Sequence, residues 1–251
     1  MIESPVPTIG VFLSSSDSRR DILERIFPSM LKYWPDCPYK IYVGVNSEYT
    51  VWPGITSLIA PPSDWRSECL EQVRQICESH IIVILDDFLF LRPVDQQTVA
   101  GFVSIAVTSQ AQYFRLLPLG RPLWERLGIG SRVNPINGVE EINATRPFFS
   151  SLQIAIWDKT HITSMLRARG SIWDFEHERM PKARHYAISQ NPPILYRHLV
   201  EKGRWLPYAK AMLAKAGLPT NLGNRPIWSR WRNVKLIFDA IRFYIFGYSI
   251  H

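Results

Sequence analysis

The sequence predicts an α/β protein in which helices flank a mixed, mostly parallel sheet, with a helical extension at the C-terminus. Three observations support this fold class. Apolar runs typical of strands alternate with segments of helical periodicity through the first 120 residues. Residues 81–85 are apolar on both faces, as in a strand covered on both sides. The 251 residues are 46% hydrophobic and 12% aromatic, which is enough for the core of one large domain and excludes a disordered chain.

The predicted elements follow one another in a regular order. A helix after the first strand is indicated by apolar residues at positions 22, 23, 26, 27, 30 and 31. Residues 118–150 are rich in Pro, Gly and Asn and predict a long loop. The predicted strands are residues 7–13, 39–45, 55–60, 81–85, 113–117, 151–157 and, interrupted by proline, 188–198. The further predicted helices are residues 65–77, 95–108 and 159–169.

Charge is distributed unevenly along the chain. Residues 1–158 contain 13 Lys and Arg against 17 Asp and Glu, whereas residues 159–251 contain 16 against 5. The basic second part indicates an anionic partner or a merely soluble basic face. No apolar run reaches the roughly 18 residues of a membrane span, and no signal-peptide pattern is present. The three cysteines have no zinc spacing, so a cytoplasmic location is expected.

Polar residues follow three of the predicted strands. They are Ser14-Ser15, Asn46-Ser47 and Asp86-Asp87, and in a parallel sheet such strand ends share the edge where ligands bind. The adjacent carboxylates at 86 and 87 are the sharpest feature, because burying them unpaired would be costly. Mg²⁺ or Mn²⁺ bridging phosphates needs only one or two such ligands. The alternative is a helix cap or a solvated turn.

The sequence around this pair resembles a known family. Trp65-Arg66 followed by residues 82–88 (IVILDDF) is similar to the donor half of GT-A fold glycosyltransferases, whose Asp-x-Asp motif binds a nucleotide-sugar through a metal. Residues 7–18 and 33–40 fit the same half. Residues 151–157 (SLQIAIW) and 173–176 (WDFE) resemble the acceptor half of bacterial polysaccharide-type, family 2-like enzymes. Phe88 replaces the last Asp of the common motif, which leaves Asp87 as the single metal carboxylate.

The resemblance implies an organisation and a set of site residues. Residues 1–205 would form the catalytic domain, with a donor half (1–120) and an acceptor half (121–205), and residues 206–251 a basic helical extension. The cofactor would be Mn²⁺ or Mg²⁺. The implied roles are Asp87 on the metal and diphosphate with His198 completing the metal site, Asp86 facing the ribose, Ser14, Ser15 and Asp17 bordering the nucleotide, Asn46 and Asp64 near the base, and Arg66 neutralising phosphate charge. For Arg66 a surface helix position is the alternative.

A second acidic and aromatic patch lies at residues 173–176. Inverting transfer needs a carboxylate within hydrogen-bond reach of the acceptor hydroxyl, and aromatic neighbours both raise its pKa and stack on sugars. The family likeness favours Glu176 as this base, with Asp174 as the second choice. The alternative is that both are ordinary acids at a helix N-terminus.

The C-terminal stretch 228–248 predicts a basic amphipathic helix. Its apolar face could bind an anionic membrane surface or pack on the catalytic domain, and the sequence leaves both open. The predicted face consists of residues 234, 237, 238, 241 and 245, opposite the cations at 232, 235 and 242.

The predicted function is transfer of a sugar from a nucleotide-sugar donor to a glycan or lipid-linked acceptor in cell-surface polysaccharide synthesis. Two alternatives stay open. The first is a metal-dependent nucleotidyltransferase or nucleic-acid-processing enzyme, and the second is a non-catalytic protein that binds a membrane surface. The nucleotidyl alternative needs further carboxylates on a neighbouring strand, and residues 113–117 offer none. The basic residues do not form a nucleic-acid motif, so no nucleic-acid partner is expected.

Overall fold

The computed structural model describes most of the chain. The described residues are 8–48, 52–120, 138–143, 149–168, 170–178, 180, 182–189, 191–229, 231, 232, 234, 235, 238 and 241.

The strands and helices confirm the predicted α/β class. The strands are β1 (Ile9–Ser14), β2 (Lys40–Val45), β3 (Thr56–Ile59), β4 (His80–Leu85), β5 (Phe88–Phe90), β6 (Tyr113–Arg115), β7 (Val139–Glu141), β8 (Ala155–Asp158), β9 (His185–Ile188), β10 (Tyr196–His198), β11 (Val200–Glu201) and β12 (Arg204–Trp205). The α-helices are α1 (Arg20–Tyr33), α2 (Trp65–Arg74), α3 (Gln96–Thr108), α4 (Lys159–Leu166), α5 (Ile172–His177) and α6 (Ala209–Lys215), and a 3₁₀ turn (Asp17–Arg19) precedes α1. β7 lies inside the stretch that the sequence predicts as a loop, and β8 begins four residues later than predicted.

The main sheet has eight strands in the order β3-β2-β1-β4-β8-β6-β9-β7. Neighbouring strands are parallel from β3 to β4 and between β6 and β9. β8 and β7 run in the opposite direction. Because β8 is antiparallel to β4, the segment that leads into β8 lies at the same edge as the carboxyl ends of β1, β2 and β4. This reversal brings parts of the chain far apart in sequence to one edge.

Helices cover both faces of the sheet, and β4 shows this most clearly. Ile82 and Ile84 belong to the core cluster that contains Leu23 and Phe27 of α1. Ile81 and Val83 point the other way, into the cluster on the opposite face, which includes Val73 of α2. A strand that buries both of its faces reads as a continuous apolar run, so the feature that predicted β4 is explained.

The C-terminal part of the described chain packs on α1. A third core cluster joins Ile22 and Ile26 of α1 to Trp205, Ala209 and Leu213. β12, which precedes the predicted boundary at residue 205, and α6, which follows it, share this one cluster. The division of the chain after residue 205 stays a prediction. None of the helices in the described ranges combines the length and apolarity needed to cross a bilayer.

Two histidines meet inside the core on the α4 side of the sheet. The Nε2 atoms of His161 and His185 are 3.0 Å apart, and Nδ1 of His185 lies 3.1 Å from the carbonyl oxygen of Phe149. Burial lowers the pKa of both imidazoles, that of His185 to about 4. The native fold therefore holds this pair neutral at pH 7.

Stability is expected to fall as the pH drops from about 6.5 to about 4, the window between the ordinary and native pKa values of His185. In this window His185 binds a proton in the unfolded chain but not in the native state. The free energy of unfolding falls by about 3 kcal/mol across the window as a result. Denaturant unfolding at a series of pH values measures it. His185→Gln should show a shallower dependence, with exposed His177→Gln as the matched control. Equal slopes in the wild type and His185→Gln would contradict the assignment.

Candidate functional site

The polar strand ends meet at one edge of the sheet, as the sequence predicts. Ser14 at the end of β1 is in register with Leu85 at the end of β4, so Ser15 and Asp86 follow side by side. Their side chains touch, since the Ser15 hydroxyl donates a 2.7 Å hydrogen bond to Asp86 Oδ2. We call this edge the rim. Ligands of open α/β sheets bind at such edges.

Asp86 is 2% exposed and is already paired. Arg19 donates to it twice, from Nε to Oδ2 at 2.7 Å and from Nη2 to Oδ1 at 2.5 Å. With the Ser15 bond, both carboxylate oxygens are engaged. The predicted contact of Asp86 with a ribose is therefore not supported by these contacts and stays a prediction.

Arg19 is a site residue that the sequence analysis missed. It ends the short 3₁₀ turn after β1, and 35% of its side chain remains exposed at the rim. The two-point grip of Asp86 fixes the plane of the guanidinium. Nothing local distinguishes Arg19 from its neighbour Arg20, which pairs with Glu24 on the surface of α1. Its role becomes visible only when the chain brings Asp86 beside it.

Asp87 lies in a different environment from Asp86. It is 7% exposed, and its Oδ1 atom is buried without a hydrogen-bond partner among the described residues. Burial, followed by the charge of Asp86, raises the pKa of Asp87 to about 7, although Arg19 and the backbone N–H of Val200 act in the opposite direction. A buried carboxylate oxygen without a partner is costly, so a cation or a donor group placed there would be favourable.

The residues around Asp87 fit only a metal ion that takes most of its ligands from outside the protein. His198 lies on β10 opposite Phe88, and the N–H of the following Leu199 donates to the Asp87 carbonyl at 3.0 Å. In the described part of the chain, no group of three or more His, Cys, Asp and Glu side chains could hold a metal ion. A Mg²⁺ or Mn²⁺ ion that takes most of its ligands from phosphates and water needs no such group. The protein would contribute Asp87, and the role of His198 stays a prediction.

A polar clasp joins the loops after β1 and β2. The Asp17 N–H donates to Asn46 Oδ1 at 2.9 Å, and the Asn46 N–H donates to Asp17 Oδ1 at 2.9 Å. The Ser47 hydroxyl donates to the other oxygen of Asp17. The structure thus brings together Asp17, predicted to border the nucleotide, and Asn46, predicted to lie near the base.

Asp64 and Arg66 have structural contacts instead. Asp64 caps α2, because its side chain accepts hydrogen bonds from the N–H groups of Arg66 and Ser67. Arg66 is 2% exposed and donates from Nη1 to Glu178 Oε1 at 2.8 Å and to the Met165 carbonyl at 3.1 Å. It ties α2 to the segment around α4 and α5, so its predicted phosphate role, like the base contact of Asp64, lacks support in this geometry and stays a prediction.

The two acids of α5 also differ. Asp174 forms a capping box with Ser171, and the Ser171 hydroxyl is the largest cause of its lowered pKa. These contacts match the alternative prediction of a helix N-terminal acid. Glu176 is half-buried and turns to the segment before β8, where its Oε1 accepts the Leu152 N–H at 2.8 Å. Only Glu176 of the pair reaches the rim.

Two aromatic side chains join α5 and β10 to the rim. Trp65 donates from Nε1 to Ser14 Oγ at 3.2 Å, and its ring meets Phe175, the neighbour of Glu176, at a centroid distance of 5.3 Å. Tyr196 stacks on Phe88 at 4.3 Å, and its hydroxyl donates to Gln153. No local signal in the sequence marks Trp65 or Tyr196 as a connector, because each partner lies far away along the chain.

The rim therefore combines the guanidinium of Arg19 held by Asp86, the buried carboxyl group of Asp87 with one unpartnered oxygen, and the anchored carboxylate of Glu176. Such a set can bind a phosphorylated ligand at one end and accept a proton at the other. It defines a strand-end ligand site of the α/β class.

Comparison with known proteins shows distant structural likeness alone. No family profile and no curated protein matches the chain. Staphylococcus aureus TarS 1-349 is 10% identical over 83% of this chain and 70% of its own, with a TM-score of 0.47. TarS 1-349 in complex with UDP-GlcNAc is 11% identical over 79% of this chain and 60% of its own, with a TM-score of 0.48. A 4-diphosphocytidyl-2C-methyl-D-erythritol synthase is 11% identical over 84% of this chain and 99% of its own, with a TM-score of 0.48. Likenesses of this size carry no argument, so the fold class rests on the chain's own sheet topology.

Proposed function

We propose that this protein is a glycosyltransferase that moves a sugar from a nucleotide-sugar donor to a glycan or lipid-linked acceptor. The observation that carries the proposal is the arrangement of carboxylates at the rim. Asp87, with its unpartnered buried oxygen, lies at the end of β4, and Glu176 is anchored to the neighbouring segment before β8. A donor diphosphate at the first and an acceptor hydroxyl at the second would meet between them.

The donor end of the site has the groups needed to bind a negatively charged diphosphate. Asp87 would hold a Mg²⁺ or Mn²⁺ ion, which when bound neutralises the charge that develops on the leaving diphosphate. Arg19, held by Asp86, adds a fixed positive group that no metal has to supply. The clasp of Asp17 and Asn46 closes the side where the nucleoside would lie.

The acceptor end supplies the base. In an inverting transfer the acceptor oxygen attacks the anomeric carbon, the bond from that carbon to the diphosphate breaks, and the nucleoside diphosphate leaves with the electron pair. Glu176 takes the proton from the acceptor hydroxyl as the new bond forms. The Leu152 N–H fixes the Glu176 carboxylate, so little reorganisation is needed at this step.

The products distinguish this function from the two alternatives. A screen of nucleotide-sugars with and without Mn²⁺ should release nucleoside diphosphate. A nucleotidyltransferase would instead release pyrophosphate from a nucleoside triphosphate and a sugar phosphate, and a non-catalytic protein would turn over neither.

Arg19→Gln is expected to weaken the binding of a nucleoside diphosphate by about 10-fold to 100-fold, the worth of a charge-assisted contact. Calorimetry with the diphosphate measures the change. Arg20→Gln is the matched control, because the neighbouring arginine pairs with Glu24 on the surface of α1 and should leave binding unchanged. Equal affinity in the Arg19→Gln variant and the wild type, with both folded, would remove Arg19 from the donor site.

A further inference from the structure

Four apolar side chains near the C-terminus are exposed on one side of a helix. The exposed fractions are 79% for Trp231, 39% for Val234, 65% for Phe238 and 48% for Ile241. These residues are helical, and their spacing of three, four and three places them on one stripe. We call them the tail face. The remaining residues of the predicted helix 228–248, apart from 228, 229, 232 and 235, lie outside the described residues.

The start of this tail is firmly attached to the hairpin of β11 and β12. The Trp228 backbone N–H donates to the Trp205 carbonyl at 2.8 Å, and its indole Nε1 donates to the Glu201 carbonyl at 2.9 Å. Arg232 pairs with the Glu201 carboxylate and also lies over the Trp228 ring. The polar side of the tail is thus occupied by the protein, while the tail face points away from these contacts and is exposed.

We propose that the tail face binds the surface of an anionic lipid bilayer. Residues 206–251 contain seven Lys and Arg but a single acid, Asp239. Arg225 and Arg232 pair with acids elsewhere in the protein, and the remaining net positive charge complements anionic headgroups. Lys235 is exposed and stands next to Val234. A tryptophan and a phenylalanine on a basic amphipathic helix are suited to the boundary between headgroups and acyl chains. An acidic protein groove with an apolar floor would be the other occupant of such a face, and binding to pure lipid vesicles distinguishes the two.

The hairpin also connects the tail to the rim. The backbone N–H of Val200, in β11, faces the Asp87 carboxylate, and Glu201 next to it holds Arg232. A bilayer against the tail face would therefore lie near the candidate site. The value of a bilayer near the candidate site rests on the proposed function, because it would present a lipid-linked acceptor to that site. The proposed lipid binding of the tail face does not depend on the proposed function.

Sedimentation of the full chain with lipid vesicles tests the proposal. We expect binding to vesicles that contain phosphatidylglycerol and little binding to pure phosphatidylcholine, and weakening as NaCl rises from about 0.1 M to about 0.5 M. Trp231→Ser combined with Phe238→Ser should reduce binding by about 10-fold or more, because each exposed aromatic loses its buried area in the membrane. Ile59→Ser, which removes an apolar side chain of β3 that is 38% exposed, is the matched control. Point variants are preferable to truncation, since residues 227 and 228 pack on β12.

Three results would overturn the proposal. They are failure of the wild type to bind phosphatidylglycerol vesicles, full binding by the double variant, and a wild-type dimer that the double variant converts to a monomer without any vesicle binding. The double variant should keep the wild-type unfolding midpoint and donor hydrolysis. If the wild type binds vesicles but turns over no nucleotide-sugar, the lipid surface stands and the proposed function fails.

Discussion

Asp87→Asn is expected to lower sugar transfer by about 10³-fold or more, because the donor diphosphate loses its metal bridge and with it several kcal/mol of charge stabilisation. Asparagine has the shape of aspartate but not its charge, so the loss would be electrostatic. Turnover at saturating donor and metal measures it. Asp87→Ala should behave in the same way.

Unfolding of the Asp87→Asn variant is the other explanation for a loss of activity, and it can be tested directly. Burial and Asp86 hold the pKa of Asp87 at about 7, well above its ordinary value, so ionised Asp87 destabilises the empty fold at pH 8. Asp87→Asn should therefore unfold at the same temperature as the wild type or higher. Asp95→Ala, which removes an exposed cap of α3, is the control and should lose stability without losing activity. Full activity in Asp87→Asn would end the metal assignment.

Glu176→Gln is expected to reduce the transfer rate by about 10²-fold to 10⁴-fold and to leave donor affinity unchanged, as for the loss of a general base. Glutamine can still accept the hydrogen bond from the Leu152 N–H, so the local structure should persist. Single-turnover rates, measured beside calorimetry of nucleoside diphosphate binding, separate the two effects.

Asp174→Asn is the matched control for this variant. Its carboxylate belongs to the capping box of α5, where asparagine can still accept the Ser171 N–H, so the variant should stay folded with little change in the transfer rate. If Asp174→Asn loses the rate and Glu176→Gln retains it, the two roles are reversed.

The features of this site that could be predicted are those that depend on residues close together in the sequence. β4 is apolar at every position because both of its faces are buried, and the sequence shows this directly. The acidic pair at its end and the serines after β1 then had to meet, because parallel strands end at the same edge of a sheet. Periodicity likewise identified α2 and its first residue, Trp65.

The features that could not be predicted depend on contacts between distant residues. Arg19 and Arg66 look alike in the sequence, yet the first meets Asp86 at the rim and the second meets Glu178 in the interior. Which arginine faces a ligand is decided by packing, which one sequence does not reveal. The strand β7 was missed because its three residues are too few to show an alternating pattern.

The isolation of Asp87 has a consequence for where ligand affinity originates. When no cation is bound, the ionised form of this carboxylate raises the free energy of the folded state, because it is shielded from water and lies beside a second negative charge. A cation that arrives relieves this unfavourable state as well as making its own bonds. Part of the binding free energy is then stored in the unliganded fold, and a sequence optimised only for folding would remove the residue that stores it.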